Sequence, residues 1–325
     1  MKTTPATPPL AKLPLMNACL AAACLLAAAH ARADEGGMSY WQPGQIGTFA
    51  AVQNDPGLSW SFSAYHAEAD TSKTRKSLRG RTTSTLLSTP SDLLFVSPTY
   101  TFATPVAGAQ AAVSLTGLYG RTEVYTEADT TTARGKPRSQ SSDDARDGFG
   151  DLYPMATLKW NRGNHNYLAY AALGVPVGTY NVDRDANLGS NHWSYDAGGG
   201  YTYLNTQTGT EFSAVLGLTL NQTNPDTQYR NGNDAHLDVS LSQFLNEDFH
   251  IGLVGYAYHQ LSNDTAPGIG RKDLKSRVAG LGPQLGYFFP VGKKKWYANL
   301  KAYDEFDAKN RTAGWNAWLT LFVPI

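Results

Sequence analysis

His236 and Asp238 stand two residues apart in a segment whose residues alternate between polar and apolar. Two steps along an extended chain return a side chain to the same face, so the imidazole and the carboxylate point the same way. Such a pair can hold a metal ion or orient a base, and it serves equally in a polar network. No third ligand stands near it in the sequence, so no metal site is assigned. Tyr256 and Tyr258 repeat the spacing; they can stack an aromatic solute or simply fill space. The polar parity of other segments adds Asp151, Tyr153, Lys159, Asp196, Glu211, Asn221, His250, Gln260, Gln284, Lys301, Tyr303 and Glu305. Charges gathered on one buried face must be hydrated or paired. They line either a passage that selects solutes or a closed interior of ion pairs and hydrogen bonds. Gly198-Gly199-Gly200 lies inside a strand pattern, so it reads as curvature or close packing, not as a phosphate loop. The mature sequence contains no phosphate-binding P-loop, no H-E-x-x-H and no G-x-S-x-G elbow. No catalytic residue and no cofactor is assigned.

The elements that carry these residues are strands. Residues 211–221 place Phe212, Ala214, Leu216, Leu218 and Leu220 on one parity against Glu211, Ser213, Thr219 and Asn221 on the other. Strict alternation over this length is a strand with one apolar face. About twelve such segments are expected: 58–68, 92–102, 110–126, 150–160, 166–179, 192–204, 210–221, 234–245, 249–261, 276–289, 296–306 and 314–325. An even number suits a bacterial transmembrane barrel. The connections alternate between short (103–109, 161–165, 205–209, 246–248, 290–295) and long (69–91, 127–149, 180–191, 222–233, 262–275, 307–313). Transmembrane barrels have short periplasmic turns and longer outer loops, so the rhythm assigns the two sides. Segment 127–149, rich in Ser, Thr and mixed charges, reads as a mobile outer loop.

Aromatic residues mark the strand ends on the apolar parity. Trp160, Tyr167, Tyr203, Phe212, Phe249, Phe289 and Trp296 fall at the short-turn ends, with Phe102. Trp193, Phe306 and Trp315 fall at the opposite ends, with Tyr125. Aromatic girdles sit where lipid tails meet headgroups, so these residues are the expected girdle. On this scheme a charge at Leu216 disrupts insertion, and the same charge at Thr219 is better tolerated.

Composition narrows the remaining classes. The chain of 325 residues carries 27 Lys+Arg and 27 Asp+Glu, so a basic nucleic-acid binder is excluded. Mean hydropathy is mildly negative, because two opposed faces are averaged. Residues 1–33 read as a secretory signal, with Lys2 and Lys12 flanking an apolar run and Ala31-Arg32-Ala33 as the cleavage site. The leader takes Lys2, Lys12 and Arg32 with it and no acid, leaving 24 basic against 27 acidic residues. Cys19 and Cys24 also lie within it, so the exported chain holds no thiol. Residues 34–57 are punctuated by Gly and Pro and form either a periplasmic lead-in or a plug in the lumen. Residues 58–325 are the barrel.

Several stretches also resemble a known family. They are Tyr40-Trp41-Gln42-Pro43-Gly44, Gly148-Phe149-Gly150-Asp151-Leu152-Tyr153 and Asn224-Pro225-Asp226-Thr227-Gln228-Tyr229-Arg230. His236-Leu237-Asp238, Gly252-Leu253-Val254-Gly255-Tyr256 and Arg277-Val278-Ala279-Gly280-Leu281-Gly282-Pro283-Gln284 complete the set. The chain resembles the phenol meta-cleavage-pathway, or SphA-like, outer-membrane proteins of bacterial aromatic-degradation clusters. Many outer-membrane barrels end in Phe, whereas this chain ends Val323-Pro324-Ile325. The resemblance implies a barrel that helps hydrophobic or aromatic compounds cross the bacterial outer membrane. The expected function is passive passage of such solutes. The expected partners are outer-membrane lipids, small hydrophobic or aromatic solutes, and the barrel assembly machinery during biogenesis. The alternatives are a barrel enzyme of the lipase or acyltransferase type and a plugged structural barrel.

Overall fold

The computed structural model describes residues 40–76, 82–131, 137–267 and 275–325. The expected leader lies outside them. Among the described residues there are strands and turns but no helix. The strands are β1 (Gly57–Lys76), β2 (Thr82–Ser88), β3 (Ser91–Thr101), β4 (Gln110–Thr131), β5 (Pro137–Phe149), β6 (Tyr153–Arg162) and β7 (His165–Gly174). They continue with β8 (Ser194–Asn205), β9 (Thr210–Asn221), β10 (Asp234–Phe244), β11 (Phe249–Gln260), β12 (Arg277–Val291), β13 (Lys294–Lys309) and β14 (Ala313–Pro324).

Twelve of them close an antiparallel barrel. Consecutive strands from β6 to β14 pair in order, β14 returns to β1, and β1–β3–β4–β6 completes the ring. Closure runs from Ser59↔Pro324 to Asp70↔Ala313. It leaves no free edge, so the backbone polar groups of every barrel strand find partners within the sheet. The short turns need left-handed backbone, which Gly209 supplies between β8 and β9 (φ 69).

β2 and β5 lie outside the ring. β1 and β4 run on past the barrel, and β2 pairs with both extensions, Asp70↔Ser88 and Thr82↔Thr131 among the pairs. β5 pairs with β4 from Tyr119↔Phe149 to Thr131↔Pro137. This corrects two expectations. Segments 69–91 and 127–149 are not simple loops, because strand pairing continues into both. β5 is mostly exposed, and only scattered residues of the two segments are buried, Leu87 and Ala128 among them, so no continuous apolar parity forms. Polar cross-strand pairs hold them instead, such as Thr74 with Ser84 and Arg121 with Asp147. β7 also ends at Gly174, short of the expected 179, ahead of Pro176.

Alternation then sorts each strand into two faces. Along β9, Glu211, Ser213, Val215, Thr219 and Asn221 are buried inside, while Phe212, Leu216, Leu218 and Leu220 are exposed outside. The other barrel strands follow the same rule. The outcome is a broad exposed apolar band of a size that a soluble monomer does not carry.

Candidate functional site

The interior is occupied by residues 40–56 of the chain itself. They form no strand with the wall. Wall side chains hold their backbone one hydrogen bond at a time. The Lys301 ammonium donates to the carbonyls of Gly44, Gln45 and Ile46 at 2.6, 3.4 and 3.3 Å. The Trp318 indole donates to the Pro43 carbonyl at 2.9 Å. Glu211 accepts from the Phe49 N–H at 3.1 Å, and Thr202 Oγ1 from the Ala51 N–H at 3.1 Å. Lys159 donates to the Val52 carbonyl at 2.8 Å. Phe49 has φ 62, uncommon outside glycine, and its ring meets Phe244, His250, Phe288 and Tyr297.

Trp41 anchors the other end of the segment. Its indole nitrogen donates to Asp238 Oδ2 at 3.0 Å. Its ring lies nearly parallel to those of His236 and Tyr258, at centroid distances of 5.2 and 6.0 Å, and meets Tyr256 edge-on. His236 and Asp238 do share a face, but they hold different partners. His236 Nε2 is 3.0 Å from Asp196 Oδ2, which also accepts from Thr219 Oγ1 at 2.7 Å. His236 faces Gly217 across the sheet, and Gly217 faces Gly198. That line of missing side chains opens the way from His236 to Asp196 on β8.

The remaining expected residues are spread over several separate contacts. Tyr256, Tyr303 and Glu305 join the Trp41 cluster: the Tyr256 hydroxyl donates to Glu305 at 2.7 Å, and the Tyr256 and Tyr303 rings are 4.9 Å apart. Tyr258 donates to Asp234 at 2.6 Å. Glu211 and Gln284 form a hydroxyl network with Ser240, Ser242 and Thr48 nearer the short turns. Asp151 stands apart. It accepts from the Gly178 and Ser190 N–H groups at 2.9 Å each and braces the connection 175–193. Tyr153 meets Tyr40 edge-on at 5.5 Å. Among the described residues, no group of three His, Cys, Asp or Glu side chains converges as metal ligands would.

The expected girdle residues lie on the outer face. Trp160↔Tyr167, Tyr203↔Phe212 and Phe289↔Trp296 are directly paired across the short hairpins, and Phe249 faces Tyr287. Trp193, Phe306 and Trp315 are exposed at the opposite ends. Thr219 points inward, where it is buried and bonded to Asp196.

Sequence reading missed Trp318, Tyr170 and the wall contacts of residues 40–56. Trp318 carried a usable signal, since it stands on the opposite parity from Trp315 on the same strand. Space remains between the segment and the wall at the short-turn end. A cavity of about 940 Å³ opens there, lined by Phe49, Phe244, Phe288, Tyr297, Phe322 and Lys159 among others.

A family model described as "Putative MetA-pathway of phenol degradation" matches residues 69–321. The chain belongs to this family. The family match covers nearly the whole barrel and leaves residues 40–56 outside it. Among solved structures the chain is similar to the COG4313 outer membrane channel from Pseudomonas putida F1. Identity is 15%, the TM-score is 0.66, and the match covers 87% of this chain and 99% of that one. It is also similar to a Pseudomonas aeruginosa FadL homologue at 7% identity and a TM-score of 0.44, over 91% of this chain and 97% of that one. No curated protein sequence matches the chain. The first of these structures gives the fold: this chain shares the barrel architecture of that protein.

Proposed function

We propose that the protein is a passive outer-membrane channel for small hydrophobic or aromatic compounds, closed at rest by residues 40–56. The carrying observation is how that segment is held. It is bound by side-chain hydrogen bonds and ring contacts and takes no place in the sheet. It can therefore leave without breaking one strand pair, so barrel closure and lumen opening are independent. The exposed apolar band faces lipid and the outward aromatics form its girdle. The lumen pairs rings with hydroxyls and charges, a lining suited to solutes with an apolar body and one polar group. No energy-coupling part is needed, since flux follows the gradient. The chain reaches the outer membrane with a cleaved signal and is inserted by the barrel assembly machinery. It performs no covalent chemistry.

Uptake tests this reading. Vesicles carrying the folded protein should admit phenol and other single-ring compounds faster than protein-free vesicles, and deletion of residues 40–56 should raise the rate further. Equal uptake with and without protein, in the intact and the deleted form alike, refutes the channel.

A further inference from the structure

A second cavity, of about 210 Å³, lies between residues 40–56 and the wall formed by β3, β4, β6 and β7. We infer that it binds one single-ring aromatic carboxylate, with the carboxylate on the Lys159 ammonium and the ring against Ile46, Met155 and Leu168. The inference rests on the channel reading above and names a solute class and its resting place.

Lys159 is the first ground. Its ammonium makes one hydrogen bond, to the Val52 carbonyl, and no acidic side chain among the described residues pairs with it. A half-buried ammonium with donors to spare can take an anion. Lys301 provides the contrast within the same lumen, because three carbonyls occupy it. The second ground is independent. Thr101 Oγ1 lines the same cavity, is buried, and has no hydrogen-bond partner. Thr101 faces Ala112, Ala112 faces Thr157, and Lys159 is the next inward residue after Thr157. An unused hydroxyl and an ammonium with donors to spare thus bracket an apolar space. The third ground is size. An apolar cavity of roughly 150 Å³ already holds benzene, so this one has room for a ring and its carboxylate. Lys159 also lines the 940 Å³ cavity, which gives the site a route to the short-turn mouth.

Calorimetric titration of the folded exported chain in detergent tests the site with three probes: sodium benzoate, benzyl alcohol and sodium acetate. Benzoate should bind saturably, one per barrel, at least tenfold tighter than either of the others. Lys159→Met should weaken benzoate at least tenfold and leave benzyl alcohol unchanged, whereas Lys159→Arg should retain benzoate. Ala112→Phe fills the cavity without touching the charge and should abolish binding of both ring compounds. Heat-modifiable migration on gels verifies folding of each variant. If Lys159→Met does not fold, Ala112→Phe and the wild-type preference for benzoate decide. Benzoate binding that is absent, indifferent to Lys159→Met or preserved in Ala112→Phe overturns the inference. Because the readout is binding, the two readings fail separately. Flux of phenol without benzoate binding refutes the site alone, and benzoate binding without flux refutes the channel alone.

Discussion

Lys301→Met isolates the grip on residues 40–56. The side chain is buried, and its ammonium reaches three consecutive carbonyls at 2.6, 3.4 and 3.3 Å. It also lies 5.7 Å from the Trp318 ring centroid. Methionine keeps the length and the apolar stem but donates nothing. A hydrogen bond from a charged donor contributes about 1.5–3 kcal/mol. The short bond to Gly44 earns that value, and the two long ones, which share the same ammonium, add a fraction each. A loss of about 3–5 kcal/mol results, the range seen when one member of a buried charge interaction is removed. At about 1.4 kcal/mol per decade, the undocked population rises by roughly two to three and a half decades. The loss falls on docking and not on the barrel, because β13 keeps its backbone ladder on both sides. In planar bilayers the variant should spend at least about a hundredfold more time in a large-conductance state. A chain lacking residues 40–56 should stay in that state throughout. Wild-type conductance in Lys301→Met, measured beside a permanently open deletion variant, refutes the argument that this side chain holds the segment.

The other predictions address the wall and the outer connections. Leu216→Arg puts a charge on the outer face of β9, where the leucine is 54% exposed, and should cost about 2–4 kcal/mol of folding into bilayers, read from urea titrations. Thr219→Arg should fold no better, because its site is filled by Asp196 and its neighbours. Gly217→Ala puts a Cβ into the Tyr170 hydroxyl and the His236 ring and should destabilise the barrel by about 1–3 kcal/mol in the same titration. Asp264 lies outside the barrel strands, where burial raises its carboxyl above the usual range although Tyr229, Gly232 and Gln260 donate to it. The folded form then holds the proton more tightly. Its stabilisation is complete below the unfolded value of about 4 and is lost as pH rises through the folded one. Thermal unfolding should show this fall on the alkaline side of pH 4, and Asp264→Asn should flatten it.

The barrel was legible because its strands obey one binary rule. Leu216 and Glu211 differ in parity and therefore in medium, and the expected span 210–221 coincides with β9. The rule fails where both faces meet the same medium. β5 reads Pro-Arg-Ser-Gln-Ser-Ser-Asp-Asp, solvated on both sides, so periodicity had nothing to register and pairing with β4 decided its structure. Inside the barrel, parity tells which residues point inward but not whom they meet. His236 and Asp238 were readable as neighbours on one face. Their partners lie on β8 and on residue 41, and both depend on register and on the path of the segment. Register in turn aligns Gly217 with His236 and Gly280 with Tyr256, so that these rings lie over bare backbone instead of crossing the lumen. Any side chain at either glycine would push its ring into the volume that Trp41 now fills. The resting place of the segment is therefore written in the glycines of the wall as much as in the polar groups that bind it.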